Sequence, residues 1–300
     1  MPSKRIYKLS LVHVDEMGSK VNRSMFLALR PKQWVKNLLV AAAPVAAGQI
    51  QEEMLQVCIG ILGFIFASSF GYLINDWLDR DRDRLHATKK SRPFASGKLG
   101  IAHLLPLILG CIIGAMACAY LLPSMYSIAL ATYLLITLSY SIFVKHQPVL
   151  EMLWLSSSFL IRAIAGSTII SESPTGWFVI CVFFGALFVV SAKRLAEFKS
   201  PEGVTTRGVM KLYSEKFLQT IFTTSLTVTS LTYALWAFDF RENTVLAQIS
   251  IIPFVTSLYL YAYNCERGDA QKPEELLFKS RSFLVATFVT LLCLLLVFYK

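Results

Sequence analysis

Charge is what this sequence has least of. Asp, Glu, Lys and Arg make up only 16% of its 300 residues, against 55% hydrophobic, and the mean hydropathy is +0.56. Soluble domains carry more charge than this. The apolar residues also run on in long uncharged stretches instead of alternating with polar ones, which points to a membrane protein. No cleavable leader is visible either, and none is expected: Met1–Arg23 is polar and basic, and Asp15 and Glu16 interrupt its short apolar patch. The first spanning segment is therefore expected to act as its own insertion signal. There is no CxxC among the six cysteines, and five of them (Cys58, Cys111, Cys118, Cys181 and Cys293) fall inside apolar runs. That argues against a disulfide frame or a zinc knuckle and suits small buried hydrophobes. No RNA- or DNA-binding module is recognisable, and the basic surplus is split among short loops, so nucleic acid is not the expected partner.

What is present is a series of apolar runs. Nine candidate spans are read at about 26–48, 54–74, 101–121, 124–144, 149–170, 176–192, 217–238, 245–263 and 282–299. The first is the weakest, because Arg30, Lys32 and Lys36 occupy its opening turns and Pro31 and Pro44 favour a bend. With the N-terminus in the cytoplasm, 26 of the 29 Lys and Arg residues fall in inner segments. Only Arg241 and Lys300 face out, and Arg162 lies within a span. The positive-inside rule therefore puts the N-terminus and the charged loops in the cytoplasm and the C-terminus outside. The expected organisation is a cytoplasmic segment, 1–25, followed by one transmembrane catalytic domain, 26–300. Anionic lipid accounts for part of the basic inner face.

The densest knot of charge is NDWLDRDRDRLHATKKSRP, Asn75–Pro93. Asp76, Asp79 and Asp83 are three and four residues apart, which puts them on one face of a helix continuing from the second span. Asn75 and His86 lie along the same stripe, while Asp81 and Arg80, Arg82 and Arg84 point largely elsewhere. Three aligned carboxylates repel one another and need a cation. Hard oxygen ligands suit Mg2+, which keeps waters and is shared with substrate phosphates. The plainer alternative is a salt-bridge network at the membrane edge. His86 fits either a site or an interfacial turn. Lys89, Lys90 and Arg92, which follow, suit phosphate oxygens.

Other residues gather at the same face. Tyr140 and Lys145, in YSIFVKHQP, are a little over one helical turn apart and can look into a cavity at the inner edge or serve as interfacial anchors. Arg162 sits about four turns into its span, where a charge is costly and faces a polar cavity, a carboxylate or a phosphate reaching inward. The sixth span ends in SAKRLAEF, where Lys193 and Glu197 share a face with Arg194 beside them. The loop that follows has room for a lid. Glu274 and Glu275, just after Pro273, look like the acidic first turn of a helix.

With these residues in view, the chain resembles the UbiA superfamily of intramembrane prenyltransferases. It carries that family's first aspartate-rich motif, NDxxDxxxD, in full at Asn75–Asp83. The resemblance implies an all-α integral membrane fold of nine transmembrane helices around a central cavity. The second aspartate-rich motif of the family is absent, replaced by SAKRLAEF. That departure, with RPKQWVKN at Arg30–Asn37, KRLAE at Lys193–Glu197 and KPEELL before the last span, is similar to the decaprenyl-phosphate phosphoribosyltransferase branch. Members often end the last block in Asp-Arg; here it reads Ser280–Arg281, so only the arginine carries over.

That resemblance implies Mg2+ on Asp76, Asp79 and Asp83, with Asn75 beside them as the catalytic motif. It implies substrate binding by Lys36, His86, Lys89, Lys90, Arg92, Tyr140, Lys145, Arg162, Lys193, Arg194, Glu197 and Arg281. The implied reactants are 5-phosphoribosyl 1-diphosphate and a polyprenyl phosphate, in the plasma membrane; in actinobacteria this activity feeds cell-wall arabinan. The alternative within the superfamily moves an isoprenoid from a prenyl diphosphate to an aromatic acceptor. A transporter is disfavoured, because no internal repeat is clear and the acids cluster at one end. Oligomeric state is left open.

Overall fold

The apolar runs become helices long enough to cross a bilayer. The computed structural model describes residues 21–86, 88–199, 208–240, 244–267 and 280–298. Its long helices are α1 (Met54–Leu78), α2 (Ile101–Tyr120), α3 (Ser124–Ile142), α4 (Leu150–Ile169), α5 (Gly176–Lys199), α6 (Glu215–Asp239), α7 (Thr244–Glu266) and α8 (Arg281–Phe298). A hydrocarbon core of about 30 Å needs roughly 20 residues of helix. All eight meet that need in length and composition, and every regular element among the described residues is helical. The chain is a multi-pass, all-α membrane protein.

These helices match eight of the expected spans to within a few residues at most ends. The sixth expected span, however, was read as ending at 192, and α5 runs on to Lys199. Lys193, Arg194 and Glu197 therefore stand on the helix itself, as the shared face of Lys193 and Glu197 requires, beyond the expected end of the span. A second difference lies in the first span, which is not one α-helix. Residues 21–28 are α-helical, Arg30 adopts a left-handed conformation (φ 54°), Pro31–Ala41 winds as a 3-10 helix, and Ala42–Ala46 returns to α-helix. Runs of 3-10 helix longer than three or four residues are uncommon.

The sequence and its neighbours explain this winding. With about three residues per turn, positions three apart line up on one edge, and here those are Trp34, Asn37 and Val40. Trp34 Nε1 donates to Ser69 Oγ (3.2 Å) and Asn37 Nδ2 to Ser68 Oγ (3.1 Å), while Val40 is fully buried. The segment lies against α1 and α4. A methyl group at Gly166 of α4 would run into the Val40 carbonyl, so only glycine permits this approach. Irregular backbone at membrane depth is tolerated where protein surrounds it.

The remaining packing follows chain order: α1 on α2 and α3, then α3 on α4, α4 on α5, α5 on α6, α6 on α7 and α7 on α8. On α1, Gly63 makes room for the Tyr126 ring of α3, whose hydroxyl donates to the Gly60 carbonyl at 2.7 Å. The main buried cluster, including Val40, Phe64, Tyr126, Tyr133 and Ala165, ties the 3-10 segment to α1, α3 and α4.

Candidate active site

The end of α1 carries the acids. Asp76 is buried in its last turn, Asp79 closes it with non-helical backbone (φ −92°, ψ 0°), and a short turn, Arg80–Arg84, continues to the buried Asp83. The expected stripe forms, and the opposite side is filled as expected: Asp81 pairs with Arg84 at 2.9 Å, and Arg80 stacks over Trp77.

Protein cations meet the stripe. Arg30 grips both oxygens of Asp76, with Nε at 3.1 Å from Oδ2 and Nη2 on Oδ1, while its guanidinium lies 4.9 Å from the Tyr72 ring centre. Arg92 Nη1 bridges Asp76 Oδ1 (3.0 Å) and Asp83 Oδ2 (2.6 Å). Lys145, from the α3–α4 connection, holds Asp79 at 2.7 Å. Sequence reasoning placed Arg92 and Lys145 at this face but missed Arg30, taken only as a snorkelling residue. Spacing offers no signal for a partner 46 positions away.

The three aspartates thus divide. Asp76 and Asp83 share one guanidinium nitrogen and converge, whereas Asp79 turns to Lys145. Among the described residues no group of three His, Cys, Asp or Glu is placed to hold a metal. The three-carboxylate metal site expected from the motif is therefore not drawn together here. The Asp76–Asp83 pair does fit a hard cation that takes one or two carboxylates and fills its remaining positions with water and phosphate oxygens.

Around this mouth, Asn75 is half-buried one turn before Asp79, and His86 accepts from the Thr88 N–H (3.2 Å) in a local turn beside the half-buried Lys89 and exposed Lys90. His146, next to Lys145, is exposed. Its imidazole pKa is held below the usual value by partial burial and by the charges of Lys145 and Arg82, with Asp79 opposing them.

A second cluster joins α4 to α5. Arg194, expected to meet a phosphate, is buried: Nε and Nη2 donate to both oxygens of the fully buried Glu151 (2.6 and 2.8 Å), and Nη1 donates to Glu197 (2.7 Å). Its fork is filled by protein carboxylates. Lys193 next to it is exposed, and Tyr140 lies close enough to Arg194 to interact electrostatically. Glu151 drew no attention in the sequence because it opens an apolar run. Just before it, Val149 has φ 68° and ψ −56°, with Leu150 N–H bonded to the Pro148 carbonyl (2.8 Å), a strained γ-turn for a β-branched residue. The Val149 N–H donates to Tyr213 Oη (2.7 Å), which anchors the segment following α5.

A third cluster lies deeper. Arg162, buried in α4, donates through Nε to Asn37 Oδ1 (2.9 Å), through Nη1 to the Ser158 carbonyl (2.9 Å) and through Nη2 to Tyr133 Oη (2.7 Å). Neither Asn37 nor Tyr133 was singled out from sequence. Lys36 Nζ is 5.9 Å from the Phe159 ring centre. Arg281 lines a groove of about 640 Å³ between α7 and α8, with Ile252, Pro253, Thr256 and Val285. Residues 1–20 and 200–207, and Glu274 and Glu275 with the KPEELL run, lie outside the described residues.

A family model for the UbiA prenyltransferase family matches residues 37–287. The chain belongs to that family. It is 33% identical to the decaprenyl-phosphate phosphoribosyltransferase of Corynebacterium glutamicum over 92% of this chain and 86% of that one. To the Mycobacterium tuberculosis protein of the same name it is 36% identical, over 85% of this chain and 87% of the relative. A UbiA homologue from Archaeoglobus fulgidus, solved bound to DMAPP and Mg2+, superimposes with a TM-score of 0.71 over 90% of this chain and 96% of that one. At 17% identity that likeness supports the UbiA-like fold alone.

Proposed function

We propose that this UbiA-family protein transfers 5-phosphoribose from 5-phosphoribosyl 1-diphosphate to a polyprenyl phosphate, releasing diphosphate. The observation that carries the reading is its similarity, over nearly the whole length of both chains, to proteins named decaprenyl-phosphate phosphoribosyltransferase. The chain falls in that branch, as its motifs implied. Acids and cations crowded at one end of the helices suit a diphosphate leaving group at the membrane edge.

In this reading Asp76 and Asp83 would hold Mg2+, and Asp79 could join them only by leaving Lys145. Bound there, the ion would neutralise the diphosphate and make it a better leaving group. The protein's own contribution is alignment. Arg30 fixes the Asp76 carboxylate through both oxygens. Arg92 and Lys145, already at the acids, are placed to turn toward diphosphate oxygens. The lipid phosphate attacks the ribose C1, a C1–O bond to it forms as the C1–O bond to diphosphate breaks, and attack from the far side inverts that carbon. An anionic phosphate needs no general base, so positioning, stabilisation of the leaving group and exclusion of water carry the catalysis.

The face with Asp76 belongs in the cytoplasm and the C-terminus outside, on the distribution of Lys and Arg. The ninth crossing is the Pro31–Ala46 segment: at about 2.0 Å per 3-10 residue and 1.5 Å per α residue it spans about 30 Å, as long as a conventional helix of 20. Incubating the purified protein and Mg2+ with labelled 5-phosphoribosyl 1-diphosphate and polyprenyl phosphate should yield labelled lipid. Absence of label, with turnover of a prenyl diphosphate and an aromatic acid instead, overturns the assignment.

A further inference from the structure

Val149 is held in a conformation that its own side chain disfavours. At φ 68° and ψ −56° it closes a γ-turn of the rare kind, which crowds a β-branched residue. The residue is exposed, so packing of its side chain contributes little to holding it there. Its backbone is what the fold grips. The N–H donates to the Tyr213 hydroxyl at 2.7 Å, and the carbonyl accepts from Met152 and Leu153 at 3.0 and 3.1 Å. Tyr213 is itself fixed: it is buried with Met152, Met210 and Leu218, and its ring stacks on that of Phe217. Burial pushes its phenol up to about 12, so the hydroxyl stays protonated near neutral pH.

The turn matters for what precedes it. Lys145 stands four residues before Val149, in the 3-10 turn Val144–His146, and its Nζ reaches Asp79 at 2.7 Å. Between the two, Gln147 is extended and Pro148 has a fixed φ, so few torsions separate the γ-turn from the lysine. The segment that carries Tyr213 also lies against the lysine's own turn, through the 3-10 helix Gly208–Leu212. It braces this stretch at both ends, by packing beside Lys145 and by one hydrogen bond at Val149.

We infer that Tyr213 is a positioning residue: its hydroxyl keeps Val149 in the γ-turn and so sets the place from which Lys145 reaches the acids and the diphosphate. A strained conformation persists only where its surroundings over-determine it. Without the hydroxyl, Val149 relaxes toward negative φ and the turn carrying Lys145 shifts with it. The inference rests on the reading in which Lys145 turns to diphosphate, and adds to it the two residues that aim the lysine.

The test is calorimetric binding of inorganic diphosphate, with Mg2+, to the purified full-length protein in detergent. Lys145→Gln should weaken binding about tenfold. Tyr213→Phe, which keeps the buried ring, should weaken it about fivefold. In the Lys145→Gln background, Tyr213→Phe should add less than about twofold, because both changes act through one group. Adding Val149→Gly to Tyr213→Phe should recover affinity to within about twofold of wild type, since glycine takes a positive φ without strain. A merely structural tyrosine would lower the thermal midpoint, and its loss of affinity would multiply with that of Lys145→Gln. Multiplying losses overturn the inference, as does wild-type affinity in either single variant or a double variant that Val149→Gly fails to rescue. If the affinities behave as expected but labelled 5-phosphoribosyl 1-diphosphate gives no labelled lipid, the transfer reading falls and the positioning of Lys145 stands.

Discussion

Among the described residues two arginines are buried, and the fold treats them in opposite ways. Arg194 has a protein carboxylate for each direction of its fork: Glu151 through two bonds and Glu197 through a third. Arg162 has an amide, a backbone carbonyl and a phenol. They sit on neighbouring helices, and both are almost wholly buried. Where the fold supplies the counter-charge the arginine joins helices together. Where, among the described residues, the hydrogen-bond partners are neutral, the arginine ties the 3-10 segment and α3 to α4 through Asn37 and Tyr133. The sharpest way to break this comparison is to take the anion from Arg194. Glu151→Gln leaves a guanidinium buried with only Glu197, and stability should fall by about 3–5 kcal/mol. Asn37→Ala, which takes one neutral partner from Arg162, should cost about 1–3 kcal/mol. Thermal unfolding of the purified variants measures both, and equal losses would erase the distinction.

A second contrast divides the acids of one motif. Asp76 faces inward to Arg30 and Arg92, whereas Asp81 faces solvent with Arg84. Asp76→Asn should lower turnover about a hundredfold to a thousandfold. Asp81→Asn should leave it within about twofold, since an exposed pair contributes little. Turnover of labelled donor at saturating Mg2+ reads both; similar rates would mean that the face of the helix is irrelevant to the chemistry.

Much of this was legible before any coordinates. Asp76 and Asp83 share a face because seven residues make two helical turns, and Asp81 with its arginines points away for the same reason. The eight long helices followed from apolar run length. What spacing did not carry was partnership across the fold. Arg30 reaching Asp76, and Glu151 capturing Arg194, depend on how helices are arranged in three dimensions. The 3-10 winding of Pro31–Ala41 was hidden for a related reason. Pro31 and Pro44 announced a bend, but the tight coil is set by how closely α4 approaches at Gly166, some 120 positions away.

That approach gives a smaller test of the same comparison. Gly166→Ala drives a methyl group against the Val40 carbonyl and pushes the 3-10 segment, with Asn37, away from Arg162. Overpacking of this kind costs about 1–3 kcal/mol. Thermal unfolding of the purified variant measures the loss, and wild-type stability would show that the segment yields to the methyl group at no cost.

The smallest effect is expected from a cationic group that has a choice the arginines lack. His146 stands beside Lys145 and Arg82, with Asp79 opposing them, and its pKa is lowered from the ordinary 6.5 by burial first and by those cations second. Because the folded protein releases this proton more readily than the unfolded chain does, the unfolded chain binds more protons as pH falls through about 6.5, and stability is lost on the acid side. The imidazole is exposed, so solvent screens the effect and the loss should be slight. Between about pH 8 and pH 5 the thermal midpoint of the wild-type protein should fall slightly further than that of His146→Gln. An equal fall in both would mean that Lys145, held at 2.7 Å by Asp79, is already neutralised where His146 would feel it. The charges at this mouth would then be compensated pair by pair, as at Arg194.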